Sequence, residues 1–350
     1  MAGRKENSEH EKPQVVTLKA LAAHVGLTPG TVSAVLNNSR ASASVPERTK
    51  KRILAAAQEL KYRPNFLARS LRVKRTYTIG VIAQEIGDVY GAMVISGVEQ
   101  YLRERNYFFL TVIQRHDPRL LQSYSQLLVS RGVEGIITVD TSIAHHPSLP
   151  TVAVAGHKRM DRVTNIILDH RLAVLMALRH LVDLGHKRFA CMKGPPASAD
   201  TEARWQAICE VADELGIEIA YQFAPQTEIG ATPEPGYEAT KELLAKSRCF
   251  TALFAYNDLC AIGAIRALDE AGLRVPEDVS VVGFDDIPGA SYSRPSLTTV
   301  RQPMQEMGQL AARTLLDQIE KRANYVEEIA VEPELIVRQS TSKAPSTLER

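Results

Sequence analysis

From residue 16 onward the apolar positions fall into three short helical groups. Leu18, Leu21, Ala22 and Val25 recur at the spacing of one helix face, and Gly26 behind them suits a left-handed turn. Thr28 is a good N-cap, with Pro29 at the first helical position, where a missing N–H costs nothing. Val32, Val35 and Leu36 then form the inner stripe of a second helix. The third is predicted over 46–60, with Ile53, Ala57 and Leu60 inward and Lys50, Lys51 and Arg52 on the wetter side. Two helices around a tight glycine-containing turn, closed by a third, predict a helix-turn-helix unit.

At residue 78 the pattern changes. Short apolar runs, TIGVIA (78–83), YFFLTVI (107–113), GIITV (135–139), TVAVAG (151–156), TNIIL (164–168), RFACMK (188–193), TALFAY (251–256) and VSVVGF (279–284), alternate with helical stretches. Strands apolar on both faces and separated by helices predict parallel sheets built from βαβ units. The length of this region is large for one doubly wound sheet and predicts two lobes. Residues 1–15 are polar and unpatterned, and are predicted to form a disordered arm. No solenoid repeat or low-complexity tract is visible.

Charge separates the two regions further. Fifteen basic residues face five acidic ones up to Thr78, and 27 face 35 thereafter, so a net charge of +2 hides a basic head on an acidic body. Only the head is then expected to meet a polyanion, although a basic terminus can also be merely solvated. No apolar run reaches the roughly 18 residues of a membrane span, and the first residues lack a signal-peptide apolar core, so the expectation is a cytoplasmic, nucleoid-associated protein. Cys191, Cys209, Cys249 and Cys260 are widely spaced, which predicts buried thiols. No metal or cofactor is expected: the adjacent His145 and His146 have no carboxylate or cysteine partners and suit a polar loop.

Two segments carry candidate chemistry toward DNA. The N-terminus of the second helix can offer backbone N–H groups and the Thr28, Thr31 and Ser33 hydroxyls to phosphates. A three-helix bundle without nucleic acid gives the same pattern. In RPNFLARSLRVKR (63–75), Pro64 interrupts the preceding helix, Asn65 can cap a new one, and Leu67 and Leu71 share a face amid Arg69, Arg72, Lys74 and Arg75. So short a helix orders only against a partner. An apolar wedge in a basic segment suits insertion into a minor groove, and an interdomain linker is the alternative.

TLKALAAHVGLTPGTVSAVLNNS followed by VPERTKKRILAAAQELKYRPNFLARSLRVKRTYTIGVI resembles the DNA-binding head and hinge of the LacI/GalR family of bacterial transcriptional regulators. The likeness continues through NIILDHRLAVLMALRHLVDLGHKRFACMKGP, FTALFAYNDLCAIGAIRALDEAGLRVPEDVSVVGFDD and PSLTTVRQP, and spans about residues 16–340. It implies an all-α helix-turn-helix head with a hinge helix, joined to a two-lobed α/β body of the periplasmic-binding-protein type. It also implies a homodimer on a palindromic operator, a small polar effector such as a sugar between the lobes, and repression as the default action. The implied divisions are 16–63 for the head, 64–77 for the hinge and 78–343 for the body, with a tail at 344–350. The N-lobe is expected at about 78–168 and 303–328, the C-lobe at about 169–302 and 329–343.

By position, the resemblance implies DNA contacts from Thr28, Pro29, Gly30, Thr31, Ser33, Ala34 and Asn37, and from Asn65, Ala68, Arg69 and the wedge Leu71 in the hinge. It implies effector contacts from Asp88, Tyr90, His157, Asp169, Ser198, Asp200, Arg204, Asn257, Phe284 and Asp285. Several of these follow a strand, where an α/β fold places its ligands. Carboxylates accept and a guanidinium donates, so together they grip vicinal hydroxyls, while Tyr90, Trp205 and Phe284 offer an apolar wall. For each aspartate, capping a helix is the competing role.

The chain departs from the family pattern at several points. His170 stands where Asn is usual, His157 where Asp or its neighbour often stands, Gly91 replaces an aromatic residue, the segment 141–150 is short, and the loop between Asn37 and Pro46 is long. Pro29, Gly30 and Ala34 occupy base-reading positions without a side-chain donor or acceptor, so direct readout from this helix is expected to be modest. No heptad repeat follows Arg338, which favours a dimer. Two other classes suit the body alone: a solute-binding protein, which an export signal would mark, and an enzyme, for which no nucleophile elbow, Walker loop or HExxH motif is found.

Overall fold

The computed structural model describes residues 16–63, 70, 73–85, 87, 89–115, 117–141, 148–156, 160–196, 198, 200–217, 219, 232–322 and 325–346. Asn65, Ala68, Arg69, Leu71, Asp88, His157, His145, His146 and the arm at 1–15 lie outside these residues. Contacts divide the chain into two compact units, Met1–Thr76 and Tyr77–Arg350.

In the first unit, helices α1 (Leu18–His24), α2 (Pro29–Leu36) and α3 (Glu47–Glu59) each contribute one completely buried residue, Leu21, Val32 and Ile53. Burying a side chain of this size contributes about 1.5–3 kcal/mol, enough to make this triad the nucleus of a small core. Thr17 caps α1 by accepting from the Ala20 N–H at 3.1 Å, and Thr28 caps α2 by accepting from the Thr31 N–H at 3.2 Å. Gly26 adopts a φ of 64°, which lets the chain reverse between them. Arg52 donates to the Val25 carbonyl at 3.0 Å and so ties α3 to the end of α1. On α3 the inner face is Ile53 and Ala56, while Ala57 and Leu60 are half-buried.

The second unit contains two sheets. The N-lobe sheet has the order β10-β5-β4-β3-β1-β2 and all its pairings are parallel: β1 (Thr78–Ala83), β2 (Phe108–Ile113), β3 (Ile136–Val139), β4 (Thr151–Val154), β5 (Val163–Leu168) and β10 (Glu328–Val331). Helices α4 (Val89–Glu104) and α11 (Met304–Ile319) pack on one face of it, and α5 (Pro118–Ser130) on the other. The α4–α11 crossing is close because both contact points are glycine. A methyl group on Gly97 would strike the Gln305 carbonyl, and one on Gly308 the Val94 carbonyl.

The C-lobe sheet has the order β11-β9-β8-β7-β6, formed by β6 (Phe189–Cys191), β7 (Ala252–Phe254), β8 (Ser280–Asp285), β9 (Thr298–Arg301) and β11 (Glu334–Ile336). Here β11 runs antiparallel to β9. Helices α6 (His170–Asp183) and α7 (Asp200–Leu215) cover one face, α8 (Glu234–Lys246) and α9 (Asp258–Glu270) the other, and the short α10 (Pro288–Tyr292) follows β8.

The chain passes between the lobes three times: after Leu168, between Arg301 and Met304, and between Val331 and Glu334. The last passage lies beyond the expected residue 328, because β10 pairs with β5 through Val331. Predicted strand cores agree with β1–β8, but β9, β10 and β11 have no counterpart among the predicted runs. Their sequences are short and half polar: β10 and β11 are partly exposed, while β9 is buried but presents threonines and an arginine in place of a continuous apolar run. Cys191 and Cys260 are buried as predicted; Cys249 is exposed and Cys209 only partly covered.

Candidate functional site

In the first unit, Thr28, Pro29 and Gly30 are exposed at the start of α2, with Thr31 and Ala34 half-buried beside them. Proline at N1 and a threonine cap leave this end of the helix as a short, smooth surface. Ser33 differs from its expected placement. It is 5% exposed, and its Oγ and carbonyl accept from the Asn37 amide at 3.2 and 2.7 Å. Its side chain belongs to the core side of α2, one helical step from Val32, and cannot present its hydroxyl outward. Asn37 remains exposed, but its amide is held by this bond.

In the second unit, the carboxyl ends of β3, β7 and β8 bring a set of polar side chains together between the lobes. Arg204, on the first turns of α7, is 4% exposed. Its guanidinium lies 3.7 Å from the Phe284 ring centroid and 4.8 Å from that of Tyr256. One Nη donates to the Tyr256 carbonyl at 2.6 Å and the other to Asp200 at 3.3 Å. The second carboxylate oxygen of Asp200 lies 3.3 Å from His170 Nε2, and His170 stacks against Phe284 with ring centroids 6.3 Å apart. Arg204 Nε is buried and has no hydrogen-bond partner among the described residues. A buried donor in that condition costs about 1–3 kcal/mol and is a place for an acceptor.

A second chain of contacts spans the lobes. Tyr256 donates to Ser198 at 2.8 Å, and Ser198 donates to Asp140 of the N-lobe at 3.4 Å. Burial pushes the Tyr256 phenol well up, so it serves as a neutral donor. Gly194 is required beneath it, since a methyl group there would overlap the Tyr256 ring. Asp140 and Asp285 take φ values of 45° and 109°, left-handed geometry that is costly outside glycine and tends to mark functional positions. Asp285 accepts from Gln302, which stands on the passage between β9 and α11.

The expected effector residues therefore divide. Ser198, Asp200, Arg204, Phe284 and Asp285 fall in this region, and Tyr90 is buried on the first turn of α4. Phe284 is fully buried and forms a layer behind Arg204 rather than an open wall, while Trp205 packs half-buried on the C-lobe core. Asp169 and Asn257 cap α6 and α9, accepting from the Leu172 and Cys260 N–H groups at 2.9 Å each. Asp140, Tyr256 and Gln302 were not among the candidates from sequence. Asp140 and Tyr256 carried the signal used for the others, a polar residue just after an apolar strand.

Asp258, next to Asn257, is buried for a structural reason. It accepts from Thr299 and, at 2.8 Å, from the Ile287 N–H, and its carboxyl rests on Gly283. Burial, reinforced by neighbouring Asp285, holds its pKa well above the usual carboxylate range.

A helix-turn-helix unit joined in one chain to a two-lobed α/β body is the architecture of a ligand-responsive DNA-binding regulator. Comparison with known proteins agrees. The bacterial regulatory proteins of the lacI family match residues 17–65, and the periplasmic binding protein-like domain matches residues 178–341. The HTH-type transcriptional repressor PurR of Proteus mirabilis is 32% identical over 340 residues, covering 95% of this chain and 98% of that protein. PurR of Yersinia pestis bv. Antiqua (strain Antiqua) is 31% identical with the same coverage. Among solved structures, the lac repressor dimer bound to operator and the anti-inducer ONPF has a TM-score of 0.84 at 26% identity, covering 94% of this chain and 100% of that one. The complex of the transcriptional regulator CelR with cellobiose has a TM-score of 0.69 at 28% identity, covering 93% and 99%. The chain belongs to the lacI family of bacterial regulatory proteins. It is a DNA-binding transcriptional regulator with a periplasmic-binding-protein-like body. Among the described residues no helix is long and apolar enough to cross a membrane.

Proposed function

We propose that the protein is a homodimeric, cytoplasmic repressor, without enzymatic activity, whose hold on a palindromic operator is set by a small polar metabolite bound between the lobes. Repressors among its relatives, an operator complex and a cellobiose complex among its structural neighbours support this reading. The observation that carries it is Arg204, buried against Phe284 with Nε free for an acceptor, beside Asp200 and held to Tyr256, which begins the chain of contacts through Ser198 to Asp140 between the lobes. An effector hydroxyl or carbonyl accepting from Arg204 and donating to a carboxylate would bind best at one lobe angle. By linkage, it shifts operator affinity only by its differential affinity for the two arrangements. On the DNA side, Thr28, Pro29, Gly30, Thr31, Ala34 and Asn37 meet the major groove, and Asn65, Ala68, Arg69 and Leu71 form the hinge with its minor-groove wedge.

The test combines genome-wide mapping of bound sites with a titration of the purified protein on the recovered operator against a panel of sugars and nucleosides. One compound should change operator affinity. Arg204→Lys, which keeps the charge opposite Asp200 but loses the planar fork, should abolish that change while leaving effector-free DNA binding intact. If no compound alters affinity, or the variant responds as the parent does, the effector site is misassigned.

A further inference from the structure

The outer face of α2 offers little with which to read a base. Thr28, Pro29 and Gly30 are short or lack a donor, Ala34 is a methyl group, Ser33 is inside, and the Asn37 amide is held by Ser33. Immediately beyond it lies the long loop noted in the sequence, and it is a built turn. Asn38 takes a φ of 46°, the Ser39 N–H donates back to the Ala34 carbonyl at 3.0 Å, and Arg40–Ser44 closes one 3-10 helix.

Each serine in this stretch is used to hold it. Ser39 lies 3.5 Å from the same Ala34 carbonyl. Ser42 is 5% exposed, its N–H donates to Ser39 at 2.7 Å, and its hydroxyl lies 3.5 Å from Asn38 Oδ1. Ser44 donates to the Ala41 carbonyl at 3.0 Å. Arg40 is the exception: it is exposed and makes no hydrogen bond or ion pair among the described residues, and it leaves the chain one residue from the tie to Ala34.

We infer that Arg40 is a specificity-determining residue, which reaches the major groove beside Ala34 and supplies the base-reading donor that α2 itself lacks. Its chemistry selects the target. A guanidinium donates in a fork that matches O6 and N7 of guanine, whereas phosphate accepts any cation. Arg48 and Lys51, exposed on α3 with no partner among the described residues, offer charge of the second kind. A fixed turn under a long side chain also limits the base positions it can reach. The inference rests on α2 entering the major groove.

The experiment is selection of bound duplexes from randomised DNA at one salt concentration, with the full-length protein, Arg40→Lys and Arg40→Ala. The parent should select a G·C pair at one position in each half-site. Arg40→Lys should lose that preference with the rest of the motif unchanged, and Arg40→Ala should bind the parent's best site about tenfold or more weakly. On a site altered at that pair, the three proteins should bind alike. If both variants keep the G·C preference, or if Arg40→Ala weakens every sequence equally and lysine restores binding, the residue does not read a base. If the parent selects no motif, the groove assignment of α2 fails as well. Arg40 is exposed and its backbone bonds are independent of its side chain, and Arg40→Lys carries the test should the alanine variant melt early.

Discussion

Gly30 is exposed on the second residue of α2, its backbone is ordinarily helical, and the nearest atom to an added methyl group would be Thr28 Oγ1 at 3.8 Å. Nothing in the unit forbids alanine there, and alanine favours helix by up to about 1 kcal/mol. Gly30→Ala should therefore raise the melting temperature of the head. On the proposed reading the backbone at this place approaches DNA closely, so the same variant should bind operator less tightly in an anisotropy titration. Equal affinity would mean that the helix end stands off from the groove. The comparison separates stability from function at one atom, and the burial of Ser33 shows the same division: adjacent residues on one helix serve different sides.

At the scale of elements, the same substitution has the opposite sign. Gly308 lies where α11 crosses α4, and an added methyl group would occupy the space of the Val94 carbonyl. The helix gain of up to about 1 kcal/mol is outweighed by overpacking, which costs about 1–3 kcal/mol. The obstacle is backbone, which cannot rotate away. Gly308→Ala should lower the urea midpoint of the body without changing the contacts at Arg204. Helix α2, strands β1–β8 and the cap at Thr28 were legible because their signals are local: apolar period, proline and threonine positions. Strands β9–β11 were not, because their runs of three or four residues carry threonine, glutamate and arginine and show no long continuous apolar stretch. Nor was the Gln302–Asp285 contact, which depends on the pairing of β8 with β9.

For the whole molecule, the last described residues fasten the C-lobe. Ser340 bonds to Val281 and Thr298, Ser342 to Ser280, and the Ala344 N–H to Leu184 at 2.9 Å. His186, 2% exposed, holds Thr251 and the Ser342 carbonyl at 3.0 Å each, and His180 holds Thr341 at 3.0 Å. Burial depresses both histidine pKa values. The Ser342 carbonyl partly offsets this for His186, on which a charged His180 acts further downward; Asp183 partly offsets it for His180. The unfolded chain binds these protons more readily, so stability is complete above the ordinary value of about 6.5 and is lost as pH falls through the depressed folded values. Thermal melts of the body should drop as pH falls below about 6.5. His186→Gln, which can keep one donor and one acceptor without titrating, should flatten that drop; an unchanged pH profile would assign the acid sensitivity elsewhere.

The sequence by itself determined the helix-turn-helix, the alternation of strand and helix, the division into basic head and acidic body, and the family, because each is written in neighbouring residues or in ordered motifs. Tertiary structure alone decided which polar residues share a site. Asp140, Ser198, Tyr256 and Arg204 come from different elements, and their meeting depends on how two sheets place their strand ends. It also decided that Ser33 faces inward and that Arg40 stands outward beside Ala34, because burial and orientation depend on packing across the chain, which a linear pattern records only in part.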